Sequence, residues 1–371
     1  MLRKINRIFQ DYMREKRLKF GKWLWDRKEN KEEIKSGNFI ENNNIKSVLF
    51  LRYDGKIGDM VINTLMFREI KRRYPYIKIG VVAREGNAEI IKNNSNVDRI
   101  YIYKKDRKEI VKLAEEISEE KYDLLIDFSE MLRVNQMMLI NKCNARFNMG
   151  LDREDWQLFD ISVNSEKDFK WTDHITERYS AYLRKLGIIE NIDVNYEIVV
   201  QKENVDNEFF EKSNENKVVL NPYGASKHKS FSINTLEKII RYLEKYKVKI
   251  IVLYYGDKYK ELERLKEYKN VYLPKRIESI NDSIFLISKA KLVITPDTSI
   301  VHIASALGKD NISVYPPNGG KFGVDHLVWA PKSEGTHVIF CEDKKSKHDE
   351  IDINTFNFEE MKELIDKLIK E

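Results

Sequence analysis

Three short stretches carry residues that could do chemistry. The first, DGKIGDMVINT (residues 54–64), follows the apolar run SVLFLRY. Gly55 and Gly58 flank Lys56, and Asp59 opens an apolar, helix-like segment. The glycines permit backbone conformations closed to other residues and let a ligand approach closely. Asp59 stands where a helix N-cap would stand. A carboxylate that takes a proton from a substrate would stand there too, and the stretch alone leaves both roles open. It contains neither G-x-G-x-x-G nor G-x-x-x-x-G-K-[ST], which argues against a dinucleotide-binding oxidoreductase and a P-loop NTPase.

The second stretch is NPYGASKHKSFS (residues 221–232). Gly224, Ala225 and Ser226 form a small-residue turn, with Lys227 and Lys229 beside it. Free N–H groups and positive charge after a strand suit a diphosphate. A solvated loop with incidental lysines would look the same. The third is ITPDTSIVHIASALG (residues 294–308). Asp297, Thr298 and Ser299 open a helix there, either as simple caps or as an anion site at a positive helix end. His302 lies one turn further on, on roughly the same face.

Positioning these groups takes strands that end where each stretch begins. From residue 46 onward, short apolar runs alternate with amphipathic stretches. SVLFLRY, IKIGVVA, DRIYIY and YDLLIDF each precede a helical pattern. A second series starts near residue 217 with KVVLNPYG, KVKIIVLYYG, KLVITPD and NISVYPP. Such alternation predicts parallel sheets covered by helices. The reading is α/β with two Rossmann-like domains of similar size, residues 45–200 and 215–345, joined around 195–215. A basic amphipathic arm and linker (1–44) precede them and an amphipathic helix (356–371) closes the chain. Ligands of parallel sheets bind outside the carboxyl ends of the strands. All three stretches lie at such ends, so the cleft between the domains is the expected site.

Composition narrows the classes. Of 371 residues, 42% are hydrophobic and 34% charged, the balance of a soluble globular protein. No apolar run approaches the roughly 20 residues needed to span a bilayer, and the N-terminus lacks the pattern of a secretory signal. Cys143 and Cys341 are far apart, and the six histidines lack zinc-like spacing. A reducing cytoplasm and no metal are expected. The net charge is +6, and residues 1–35 alone, with twelve Lys or Arg and six Asp or Glu, account for it. In this arm Ile5, Ile8, Phe9, Tyr12, Met13, Phe20, Trp23 and Leu24 recur at helical spacing. The helix could pack on the body of the protein, or lie on an anionic membrane surface. It is not the continuous charge run of a nucleic-acid tail, so no nucleic-acid partner is expected.

The three stretches, in this order and spacing, resemble glycosyltransferase family 9, the ADP-heptose:lipopolysaccharide heptosyltransferases. VLFLRYDGKIGDMVINTLMFREIKRRYP is similar to its opening strand, turn and helix, NPYGASKHKSFS to its Gly-Ala-Ser and lysine segment, and PDTSIVHIASALGKDNISVYPP to its Asp-Thr-x-x-x-His signature. The resemblance spans about residues 46–340. It implies a GT-B-type fold, with the acceptor in the first half and the nucleotide-sugar in the second. It also implies inverting, metal-independent transfer of heptose from an ADP-linked donor to a lipopolysaccharide core or related glycan. By position Asp59 matches the proposed catalytic base, beside the cleft turn of Gly55, Lys56 and Gly58. Ser226, Lys229, Asp297, Thr298, Ser299 and His302 fall in the donor-binding motifs. No cofactor beyond the donor is implied.

Three departures lie on the donor side. Ser299 replaces a usual glycine, Phe231 a usual tryptophan, and Pro316 a usual glycine. They leave open another nucleotide-sugar for a different glycan or protein acceptor, or an inactive nucleotide-sugar-binding relative. The implied location is cytoplasmic, at the cytoplasmic face of the inner membrane, with residues 1–35 on the anionic surface and a glycolipid or glycan acceptor.

Overall fold

The structure, a computed structural model, describes residues 2–29, 31–201, 215–319, 323–343 and 351–370. Part of the expected joint, residues 202–214, lies outside them. The chain opens with α1 (Leu2–Trp25) and the single turn α2 (Phe39–Asn42). The first half then runs β1 (Ser47–Arg52), α3 (Ile57–Arg73), β2 (Lys78–Ala83), α4 (Glu85–Ala88), β3 (Arg99–Ile102), α5 (Arg107–Glu119), β4 (Leu124–Asp127), α6 (Val134–Cys143), β5 (Phe147–Leu151), β6 (Ile161–Val163) and α7 (Ile175–Lys185). The second half runs β7 (Asn216–Leu220), α8 (Ile233–Leu243), β8 (Val248–Val252), α9 (Tyr259–Leu262), β9 (Val271–Tyr272), α10 (Ile280–Ser288), β10 (Leu292–Pro296), α11 (Ser299–Ala306), β11 (Asp310–Tyr315), α12 (Asp325–Trp329), β12 (Thr336–Phe340) and α13 (Phe358–Lys370).

Each half is a six-stranded, all-parallel sheet, ordered β3-β2-β1-β4-β5-β6 and β12-β11-β10-β7-β8-β9. Counted from its own first strand, the second sheet repeats the order of the first. The Val-, Ile- and Leu-rich central strands are buried on both faces, as helix-covered parallel sheets require. The two Rossmann-like halves of the GT-B expectation are therefore present. In both, the strand order reverses at the first strand. The ends of β1 and β4, and of β7 and β10, flank the crevice where such folds take ligands.

The halves share apolar packing. Ile300, Ile303 and Ala304 of α11 belong to the same buried cluster as Met60, Val61 and Ile62 of α3. The chain leaving the first half is pinned by α3. Glu69 is fully buried between Arg72 (2.7 Å) and Arg73 (2.6 Å). Arg68 donates to the carbonyls of Asp193 and Asn195, both at 2.8 Å.

The stretch SGNFIENNN, read as linker, folds instead. The Asn38 side chain accepts from the Glu41 N–H and starts α2, which buries Phe39 and Ile40 in the first core. Its asparagines are caps rather than spacers. Along α1, Gly21 abuts Val134 of α6 so closely that a Cβ there would lie 2.6 Å from a valine methyl. Packing on the body thus holds for the end of the arm. Phe9, Tyr12, Met13, Phe20 and Trp23 stay exposed, Trp23 at 75%. The closing helix α13 buries Met361, Ile365 and Leu368 in the second core.

Candidate functional site

The turn after β1 is built on charge. Arg52, the last residue of the strand, is only 3% exposed. Its Nη2 lies 3.1 Å from Asp59 Oδ2 and 3.2 Å from Asp54 Oδ2. Lys56 Nζ approaches Asp59 Oδ2 to 3.7 Å. Asp54 Oδ1 accepts from the Lys56 N–H (3.0 Å), and Gly55 reverses the chain at φ 77°. This turn starts α3 at Ile57, with Lys56 at the N-cap position. The N-cap reading of Asp59 is therefore corrected. Asp54 and Gly55 begin the helix earlier, which leaves Asp59 inside the first turn with its carboxylate held by Arg52.

Gly58 is also corrected in one respect. It does not hold space open at its own Cα, because the second half fills that space. A Cβ on Gly58 would lie 2.9 Å from His302 Cδ2 and 3.5 Å from Ser299 Cα. The N-terminal turns of α3 and α11 thus meet across the two halves. His302 is buried there with its ring against Tyr196 (5.8 Å). Burial, with His174 nearby, drives its pKa down to about 3. His174 also joins the halves. Its Nε2–H donates to the Ala330 carbonyl (3.0 Å), which leaves Nδ1 to accept from the Thr176 hydroxyl (2.7 Å). Burial, then the charge of Lys332, lowers it to about 4.

The second-half turn relies on small and neutral groups. Asn221 Nδ2 donates to Thr295 Oγ1 (2.9 Å) and the Tyr223 carbonyl (3.0 Å), which ties the ends of β7 and β10 together. Gly224 is packed under its own loop, and a Cβ there would overlap the Lys229 carbonyl oxygen. The Ser226 carbonyl accepts from the Lys229 N–H (3.1 Å) and the Ser230 hydroxyl (2.8 Å), while Ser226 itself is exposed. Thr298 caps α11, its Oγ1 accepting from the Ile300 N–H (3.2 Å). Ser299 is the first residue of that helix. Burial raises the Asp297 pKa against the opposing pull of Lys229. Phe231, one of the departures, is a core residue facing Phe356 (6.0 Å).

A cavity of about 1390 Å³ opens over the carboxyl ends of β1 to β4. Asp59, Lys56 and Arg52 line it, with Tyr179 of α7, Trp329 of the second half and Arg17 of α1. Behind its lining residues Tyr53 and Ser129 lies Asp127, fully buried, which accepts from the Tyr53 hydroxyl and from the Ser129 N–H and hydroxyl (both 3.1 Å). Burial pushes the Asp127 pKa up. The structure therefore brings Gly58, beside Asp59, against Ser299 and His302, and places Lys229 within electrostatic reach of Asp297. Sequence reading missed Arg52, Asn221, Tyr179 and Trp329. Arg52 had a signal, a lone cation at the end of an apolar strand. Among the described residues, no group of three His, Cys, Asp or Glu could hold a metal, and no helix is long and apolar enough to cross a membrane.

The profile of Glycosyltransferase family 9 (heptosyltransferase) matches residues 110–349. A family of unknown function (DUF6913) matches residues 17–186. The lipopolysaccharide core heptosyltransferase OpsX of Haemophilus influenzae is 22% identical over 330 residues, covering 79% of this chain and 92% of that protein. Two solved structures share the fold. The glycosyl transferase family 9 protein from Veillonella parvula has a TM-score of 0.69 at 16% identity, over 87% of this chain and 97% of that one. The E. coli heptosyltransferase WaaC with ADP has a TM-score of 0.68 at 16% identity, over 87% and 99%.

Proposed function

This chain belongs to glycosyltransferase family 9, and on that premise we propose that it moves a heptose from ADP-heptose onto a lipopolysaccharide core or related bacterial glycan, with inversion and without a metal. The observation that carries the reading is the placing of one carboxylate. Asp59 lines a large first-half cavity, and the start of α11 closes on the residue beside it. The cavity is the acceptor site in this reading, and the loops after β7 and β10 take the donor.

Inverting transfer is a single displacement at the anomeric carbon. Its transition state is oxocarbenium-like, so the leaving diphosphate separates early and the acceptor hydroxyl becomes acidic late. Asp59, placed by its contact with Arg52, takes the proton as general base, and because that transfer is late it needs no unusually strong base. Lys229, Ser226 and the N–H groups at the start of α11 stabilise the departing diphosphate electrostatically. Asp297 orients Lys229, and His302 keeps the two helix starts in contact. The exposed aromatic face of α1, with its lysines, docks on the anionic cytoplasmic leaflet, where each well-placed cation is worth ~1 kcal/mol.

Incubation with ADP-heptose and truncated lipopolysaccharide acceptors, read by product mass, tests this. A gain of one heptosyl unit is expected. Parallel incubations with UDP-, GDP- and CMP-sugars should leave the acceptor unchanged. Transfer from one of those instead would replace the donor assignment, and no transfer from any donor would remove the reading.

A further inference from the structure

The wall of the first-half cavity contains one residue that the first half does not supply. Among the described residues lining it, Trp329 alone comes from the second half. It is the last residue of α12, and none of the three chemical stretches contains it. Trp329 is half-buried. It packs on the apolar cluster that the two halves share, and it also faces the cavity.

Its position is fixed from both sides. At the start of α12 the Asp325 N–H donates to the Gly319 carbonyl (3.1 Å), and at its end the Ala330 N–H donates to the His326 carbonyl (3.0 Å). Val328, next to Trp329, is buried. The Ala330 carbonyl accepts from Nε2–H of His174 (3.0 Å), the N-cap of α7 in the first half. A short turn anchored to both halves thus carries the indole, which lowers the ordering cost for a ligand that touches it.

Across the cleft Trp329 meets the turn that holds the base. Lys56 Nζ lies 6.0 Å from the centre of the Trp329 ring and 3.7 Å from Asp59 Oδ2. The Lys56 side chain is 65% exposed, so a cation–π contact of this length is weak. It does not by itself account for an aromatic residue reaching into the other half. Ring and carboxylate are no further apart than those two distances laid end to end, the reach of one or two sugar units. The C–H face of a sugar ring is apolar, and its hydroxyls point to the rim. An indole can cover the face and leave the rim to the few polar groups that orient a ligand.

We propose that Trp329 is a specificity-determining residue for the acceptor, lent by the second half. Its indole carries the acceptor sugar ring next to the reacting hydroxyl and holds that hydroxyl toward Asp59. The inference rests on the cavity being the acceptor site. That site is then complete only with the two halves joined.

The test uses the full chain and a deacylated lipopolysaccharide core oligosaccharide. Added without donor, the oligosaccharide should change the tryptophan emission, and Trp329→Phe should remove most of that change. With ADP-heptose at saturation, Trp329→Ala should raise the acceptor KM about tenfold, while kcat and the donor KM stay within about twofold. Trp329→Phe keeps an aromatic face and should recover most of the loss. In a Lys56→Gln background, Trp329→Ala should raise the acceptor KM by the same factor. An emission change kept in full by Trp329→Phe, an unchanged acceptor KM in Trp329→Ala, a rise in the donor KM alone, or an effect that vanishes in the Lys56→Gln background would each overturn the proposal. The two readings fail separately. A chain that transfers heptose with the same acceptor KM in Trp329→Ala keeps the reaction and loses the platform. A chain whose emission responds to the oligosaccharide through Trp329 yet transfers no heptose keeps the platform and loses the donor assignment.

Discussion

The turn after β1 and the turn after β7 occupy the same place in two sheets of the same strand order, yet they are built from opposite materials. The first is made of charged side chains, Arg52, Asp54, Lys56 and Asp59, locked in one network. The second is made of an asparagine, a glycine and folded-back carbonyls, with Lys229 as its nearby cation. A side-chain carboxylate can exchange a proton, whereas a backbone cradle can only hold an anion. Topology supplies the location, and residue type divides the labour. On this comparison the first turn should govern the rate and the second the donor affinity.

The sharpest way to break that division is Asp59→Ala. Turnover should fall by about 10²-fold or more, the usual order for a lost acid–base group, while donor affinity measured by calorimetry stays within a factor of two or so. Near-normal turnover would remove Asp59 as the base. The mirror experiment is Gly224→Ala. The added methyl must displace the Lys229 carbonyl, an overpacking cost of about 1–3 kcal/mol. The donor KM should rise about tenfold with the acceptor KM unchanged. A loss confined to kcat would erase the contrast between the two turns.

Much of this was legible because parallel sheets announce themselves. The apolar runs ending at Tyr53, Gly224 and Asp297 located all three chemical stretches at strand ends. What was not legible depended on contacts distant in sequence. The local letters around Asp59 suggest a cap, and only the competing Asx-type turn at Asp54 and the buried Arg52 decide otherwise. Gly58 looks like room for a ligand until a helix more than two hundred residues later is brought against it. The arm reads equally well as packed or as membrane-bound, because one face of α1 does the first and leaves the other free for the second.

The contact between the starts of α3 and α11, and with it the seam between the two halves, is sensitive to acid. His302 and His174 are buried at the junction with pKa values lowered to about 3 and about 4. An unfolded histidine titrates near 6.5. The folded state therefore binds fewer protons below that pH, and stability falls as the pH drops from about 6.5 toward 4. The slope is about 1.4 kcal/mol per pH unit for each histidine. Above pH 7 their contribution is fully present. Urea midpoints measured from pH 8 to pH 4 should show this decline, and His302→Gln should flatten it. A variant with an unchanged slope would show that the imidazole takes up its proton without leaving the interface.

The smallest expected effect concerns the outer face of α1, and it separates the two roles of the arm. Phe9, Tyr12 and Trp23 are exposed and lie outside the cavity wall, whereas Arg14 and Arg17 line it. Replacing the three aromatic residues with serine removes apolar surface from the candidate membrane face without touching the cations. Affinity for vesicles containing anionic phospholipid should drop about fivefold to tenfold, in line with the loss of buried apolar area. Turnover on a soluble acceptor should hold. Loss of turnover on that acceptor would mean that the aromatic face also shapes the substrate wall. Unchanged vesicle binding would leave α1 with the cavity wall as its only task.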